Sequence, residues 1–123
     1  MIQISPYKKE NAVLNLAFDF ALNIIEYTEE LEARKRFNMA NQLFKCGTSI
    51  HANVREAQNA ESKADFIHKM KLAAKEAEET EGWLVLCQYS KSYPNPGALL
   101  EKLTSILKLL NKIIGTAKQP PLN

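Results

Sequence analysis

Two residue pairs in this chain carry spacings that chemistry could use. Asp65 and His68, in Asp65-Phe-Ile-His68, stand three apart, the acid-x-x-His spacing that sets two ligands on one helical face in carboxylate-bridged di-iron bundles. Such a centre needs a second pair and further inward glutamates. The other histidine, His51, has Thr48 three residues before it, so half of the ligand set is missing and no metal is expected. Cys46 and His51 are a thiol and a base five residues apart. On a helix that separation turns them about 140° away from each other. No acid completes a triad, and no glycine-rich phosphate loop follows a strand. The expectation is a non-enzymatic protein with no catalytic residue and no cofactor.

Cations offer the next chemistry. The net charge is only +2, too small to demand a polyanion. It is unevenly spread: from Pro94 to Asn123 there are four lysines and a single glutamate. Lys102, Lys108 and Lys112 in that segment, with Arg55, are the candidate nucleic-acid contacts. A solvated helix face is the plainer reading of the lysine run. Arg55 and Glu56, with Asn53 nearby, precede a polar link. They read either as a hydrogen-bonded tie between two helices or, for Arg55, as a contact with a phosphate or a partner. Trp83 and Tyr89 could stack on bases, but aromatics at helical spacing more often pack. Arg34-Lys35-Arg36 sits where cations suit the negative end of a helix dipole.

The elements that must position these residues are helices. Asn11 caps a first run with apolar residues at Leu14, Ala17, Phe18, Ala21, Ile24, Ile25, Thr28 and Leu31, the three-and-four spacing of one helical face. Asn38 begins a second, with Met39, Leu43, Cys46, Ile50, Val54 and Ala57. The period runs straight through Gly47, read as the only mid-helix glycine. Glycine there costs about 1 kcal/mol relative to alanine, so its presence predicts close approach of a neighbouring helix, or else a kink. After the link Gln58–Glu61, Ser62 opens a third helix to about Ser90, with Asp65 completing a capping box and alanines along one side. Ser92-Tyr-Pro-Asn-Pro-Gly97 stops and restarts the chain, with Asn95 as cap and Pro96 first in the fourth helix. That helix ends at Gly115. Its apolar face (Leu99, Leu100, Leu103, Ile106, Leu107, Leu109, Leu110, Ile113, Ile114) is wider than a bundle seam needs, which predicts self-association.

At 123 residues the chain suits one domain, here 1–123 with a core of about 11–118, a flexible lead and a loose tail. Four helices with short connections make it all-α, an antiparallel up-down-up-down four-helix bundle. Cys46 and Cys87 lack metal-ligand spacing and read as buried thiols of a reducing cytosol. The start has no signal-peptide pattern, and no run reaches the roughly 18 apolar residues of a membrane span. A cytoplasmic protein with no membrane partner is expected.

Three segments carry a resemblance: Gly47-Thr-Ser-Ile-His-Ala-Asn-Val-Arg-Glu-Ala57, Ala60-Glu-Ser-Lys-Ala-Asp-Phe-Ile-His-Lys-Met70 and Ala74-Lys-Glu-Ala-Glu-Glu-Thr80 with Trp83-Leu84. They resemble the family known as four helix bundle protein, which is similar to proteins encoded within intervening sequences of the large-subunit ribosomal RNA gene. The accessory protein of diversity-generating retroelements is related. The family pattern maps onto Gly47, Ser49, Ile50, Asn53, Glu56, Ser62, Asp65 and Phe66, and the likeness extends over about Asn11 to Lys118. It implies an up-down bundle that assembles as a ring-like homopentamer, without enzymatic activity. It also implies a role with RNA or DNA, or with a protein partner such as a reverse transcriptase. A protein-interaction scaffold with no nucleic-acid role is the alternative. The chain departs from the family at His51, where a small residue is usual, and in its low net charge.

Overall fold

The computed structural model describes residues 5–120. Four helices follow in order: α1 (Ala12–Ala33), α2 (Phe37–Ala57), α3 (Lys63–Tyr89) and α4 (Gly97–Lys118). Each packs on its chain neighbours and α4 closes on α1, while the diagonal pairs stay apart. This is the antiparallel four-helix bundle, and no strand occurs among the described residues. Its centre is built from one stripe per helix, led by Phe20, Ile24, Leu43, Ile50, Met70, Leu84, Leu103, Ile106 and Leu110, all fully buried. Burying each such side chain contributes about 1.5–3 kcal/mol.

The helix starts follow local chemistry. The Asn11 side chain accepts from the Leu14 amide at 3.3 Å, and the Ser62 hydroxyl accepts from the Asp65 amide at 3.0 Å. Asp65 answers by accepting from the Glu61 amide at 3.2 Å, one residue before the expected partner of a capping box. α2 begins one residue early, at Phe37, with Arg36 as its cap and no side-chain bond there. α4 begins at Gly97 with Pro96 as the cap. Asn95 still serves the start, accepting from the Gly97 amide at 2.9 Å.

The end of α1 is a Schellman motif. Lys35 donates to Glu32 O at 2.9 Å and Arg36 to Leu31 O at 2.8 Å, which satisfies two terminal carbonyls. Lys35 is left-handed, with φ 60°, a conformation that favours glycine. The flanking arginines do more than face a dipole. Arg36 donates to the Ser92 hydroxyl at 2.8 Å and lies 5.6 Å over the Tyr93 ring. Arg34 donates to Ser92 O at 3.4 Å and Tyr27 donates to Pro94 O at 2.7 Å. Together they anchor the α3–α4 connection to the end of α1.

At Gly47 the backbone of α2 approaches α1 closely. A Cβ there would lie 2.8 and 2.9 Å from the two γ carbons of Ile24, and those atoms sit on a fully buried branched side chain. The expected close approach is therefore observed. Gly47 is not the only mid-helix glycine, however: Gly82 lies inside α3, and α4 continues past Gly115 to Lys118. Both face open space, so neither is required by packing within the chain. Helical hydrogen bonds carry α4 through Gly115, since a single exposed glycine costs only about 1 kcal/mol.

α4 also differs from expectation. Leu100, Leu107, Leu109 and Ile113 are half-buried against the core, because α4 covers both α3 and α1 and uses both flanks within one chain. The large apolar side chains left exposed are instead Leu16, Leu22, Phe37, Phe44, Val85, Leu86 and Tyr89.

Two glycine substitutions should part in sign under urea denaturation. Gly47→Ala should destabilise by about 1–3 kcal/mol through overpacking, and that penalty should vanish in an Ile24→Ala background, which is itself about 2–5 kcal/mol less stable. Gly82→Ala should stabilise by up to about 1 kcal/mol. Lys35→Gly should raise stability by roughly 1 kcal/mol, as the left-handed penalty is relieved; a loss in the same assay would refute the strain at that residue.

Candidate functional site

The pairs with catalytic or ligand spacing separate in the fold. Asp65 is committed to the α3 cap and to Lys69 at 3.7 Å, while His68 is exposed. Cys46 is buried, with its thiol 3.9 Å from Leu43 O. Burial pushes both the Cys46 and the Cys87 thiol up from the ordinary value, the wrong direction for a nucleophile. Among the described residues no group of three or more His, Cys, Asp and Glu could hold a metal ion.

His51 faces the chain's lead instead. Its Nε2 lies 2.6 Å from the Tyr7 hydroxyl, and the Phe18 ring stands edge-on to both rings at 5.6 Å. Burial first, and Arg55 second, hold the imidazole below its usual value of 6.5, so at neutral pH it shares this hydrogen bond with Tyr7 in its uncharged form. Further bonds fix the same segment. The Asn15 amide donates to Lys8 O at 2.8 Å, Asn11 donates to Gln58 at 2.9 Å, and Ser5 bonds Asn15. The described part of the lead, expected to be flexible, is thus tied to α1 and α2. Tyr7 escaped sequence reasoning because it lies outside every helical period.

The family-motif residues turn out to build the α2–α3 region. Gly47 admits Ile24, and Ile50 is fully buried. Ser49 donates to Lys45 O at 2.6 Å and Asn53 to Ser49 O at 2.9 Å, both within α2. Ser62 and Asp65 cap α3, and Phe66 packs against the core. The expected tie between helices through Asn53, Arg55 and Glu56 is not made: Asn53 bonds its own helix, and Arg55 and Glu56 are exposed. The reason is position, since the last turn of α2 presents these two side chains outward.

The four candidate nucleic-acid contacts do not share one surface. Lys102 is engaged, 2.8 Å from Asp19 and also bonded to Asn23, which joins α4 to α1. Lys108 and Lys112 are exposed on the solvent side of α4, one helical turn apart. Arg55 lies on α2, which makes no contact with α4. What sequence alone missed is that the ends of α3 and α4 add to the two free lysines. Lys63 donates to Gln119 O at 3.2 Å, and Lys118 lies close enough to Lys71 to lower its proton affinity.

The family model of the 23S rRNA-intervening sequence protein matches residues 9–112. The chain belongs to that family. A solved structure from Bacteroides thetaiotaomicron, described as a protein of unknown function from the S23 ribosomal protein family, is 40% identical with a TM-score of 0.79. The match covers 83% of this chain and 97% of that one. Comparison with curated proteins finds no match. Within the described residues of this family member, no helix is long and apolar enough to cross a membrane.

A pH dependence follows from His51. Its proton affinity is lower folded than unfolded, so the unfolded chain binds the proton more readily. Stability is full above the unfolded value and falls as pH drops from about 7 towards 5. Glu76, raised by burial, acts in the opposite sense at lower pH. His51→Phe should remove the loss between about pH 7 and 5; urea midpoints with the same slope in both proteins would contradict this.

Proposed function

We propose that this member of the 23S rRNA-intervening sequence family is a non-enzymatic, homo-oligomeric helical adaptor that associates with RNA, assembled as a ring-like pentamer. The observation that carries the assembly is the placement of exposed apolar side chains on two separate faces. Phe44 (49% exposed) lines a cleft with Thr28 and Glu32 of α1, and Phe37, seven residues earlier and also exposed, shares that side of α2. Val85, Leu86 (54%) and Tyr89 (83%) project from the outer face of α3. α1 and α3 are diagonal in the bundle, so the two patches face apart. A two-fold dimer would need one self-complementary patch. Two different patches suit a head-to-tail contact, which gives a ring when its rotation closes.

The RNA reading is supported by the family's description and by lysines without carboxylate partners among the described residues. Repetition around a ring would multiply weak phosphate contacts into useful avidity. The non-enzymatic reading is supported by inert buried thiols and by a histidine already occupied by Tyr7. A protein-interaction scaffold is the second reading, favoured by the exposure of Tyr89 at the end of α3. A binding protein of either kind suits a cytoplasmic location.

Light scattering should give about five times the 13.9 kDa chain mass. Phe44→Glu and Leu86→Glu should each yield the single-chain mass. Mixing the two variants should produce a two-chain species, since each retains the patch that the other lacks. A wild-type mass of one chain would exclude the assembly, and failure of the mixture to pair would exclude head-to-tail contact.

A further inference from the structure

α3 changes character halfway along its outer face. From Gly82 onward that face carries Val85, Leu86 and Tyr89; before it, helical phase places Lys71 and Lys75 there, then Glu78. On α4, Lys108 and Lys112 face solvent and Lys118 leans towards α3. Because α3 and α4 are antiparallel, Lys63 and Lys71 near the start of α3 meet Lys118 near the end of α4, as the Lys63 bond to Gln119 O shows. The chain has no Asp or Glu after Glu101. In α3 up to Lys75 the one acid is Asp65, and it is taken by the cap and by Lys69. None of Lys63, Lys71, Lys108, Lys112 and Lys118 has an ion-pair partner among the described residues. Two acids stand at this end, Asp65 and the exposed Glu61 just before the α3 cap, while Glu78, Glu81 and Glu101 lie towards the other end.

Lys71 and Lys118 sharpen the point. Two exposed amines that neighbour each other repel when both are charged, and Lys118 accordingly lowers the proton affinity of Lys71. An anion between them would reverse that sign and satisfy both. From Lys108 to Lys118 the row spans about 15 Å at 1.5 Å per residue, too long for one small anion and suited to consecutive charges along a polymer. Lysine is a flexible point charge that grips phosphate without the planar fork that reads a base edge.

We infer that the basic end of the α3–α4 face, formed by Lys63, Lys71, Lys108, Lys112 and Lys118, is a docking surface for the phosphodiester backbone of RNA, with no dependence on base sequence. This deepens the RNA reading above and rests on it. The surface is distinct from both apolar patches, so chains can assemble and hold RNA together. Arg55 and Lys102 lie outside it, on α2 and against α1.

The test uses the full chain, with labelled RNAs of two unrelated sequences titrated between about 50 and 200 mM salt. Wild type should bind both alike, with affinity falling steeply as salt rises. Lys71→Gln/Lys112→Gln/Lys118→Gln should bind at least about tenfold more weakly. Its log–log salt slope should be shallower by about 0.7 for each lost contact to a single strand. The triple arginine variant at the same positions should bind like wild type, and Arg55→Gln should leave the slope unchanged. Circular dichroism should confirm equal helix content in all of them. If wild type fails to bind RNA at low salt, both the RNA reading and this surface fall. If it binds and the triple glutamine variant keeps the wild-type slope, only the placement falls. Equal affinity for poly-glutamate of matched charge would overturn the phosphate assignment in favour of an acidic protein partner.

Discussion

The contact of Gly47 with Ile24 is the constraint on which the rest of the bundle depends. It lets the α2 backbone rest on a branched, fully buried side chain of α1. That spacing brings Phe18 and His51 into the same aromatic cluster as Tyr7 and leaves Phe44 outside the core. A methyl group at Gly47 would force the two helices apart, and close-packed interiors absorb such strain poorly. The helix-propensity cost of the glycine, about 1 kcal/mol, is offset by the packing that it permits.

Around this contact the polar residues divide between holding the fold and remaining free. Arg34, Arg36 and Tyr27 restrain the α3–α4 connection, Lys102 links α4 to α1, and Asn11 and Asn15 bind the lead. Apart from the bond of the buried Tyr27, these contacts are exposed and contribute under about 1 kcal/mol each, so their role is orientation more than stability. The free cations gather where α3 begins and α4 ends. The free apolar groups gather on the outer face of α1 and α2 and on the later half of α3. One helix, α3, thus serves two surfaces, basic before Gly82 and apolar after it.

That division bears on how a chain with a net charge of +2 can engage a polyanion. Net charge averages over a surface whose signs are segregated, whereas counterion release depends on the local density of cations. A small basic end on each subunit, repeated by assembly, raises the effective concentration of the second contact once the first is made.

Sequence alone determined the four helices, their order, and the caps at Asn11 and Ser62, because each depends on residues within a few positions of one another. The apolar period and the glycine within it also foretold the close approach at Gly47, though not that its partner is Ile24. Tertiary structure decided what depends on distant parts of the chain. Lys102 and Lys108 look alike in sequence, yet only Lys102 meets Asp19, 83 residues away. The apolar width of α4 looked like a surface for another copy, but two neighbouring helices use it. Tyr7 had no period to mark it, and its partner His51 lies 44 residues on. Helical periodicity reports which residues leave water, but only packing in three dimensions decides which of the others find partners.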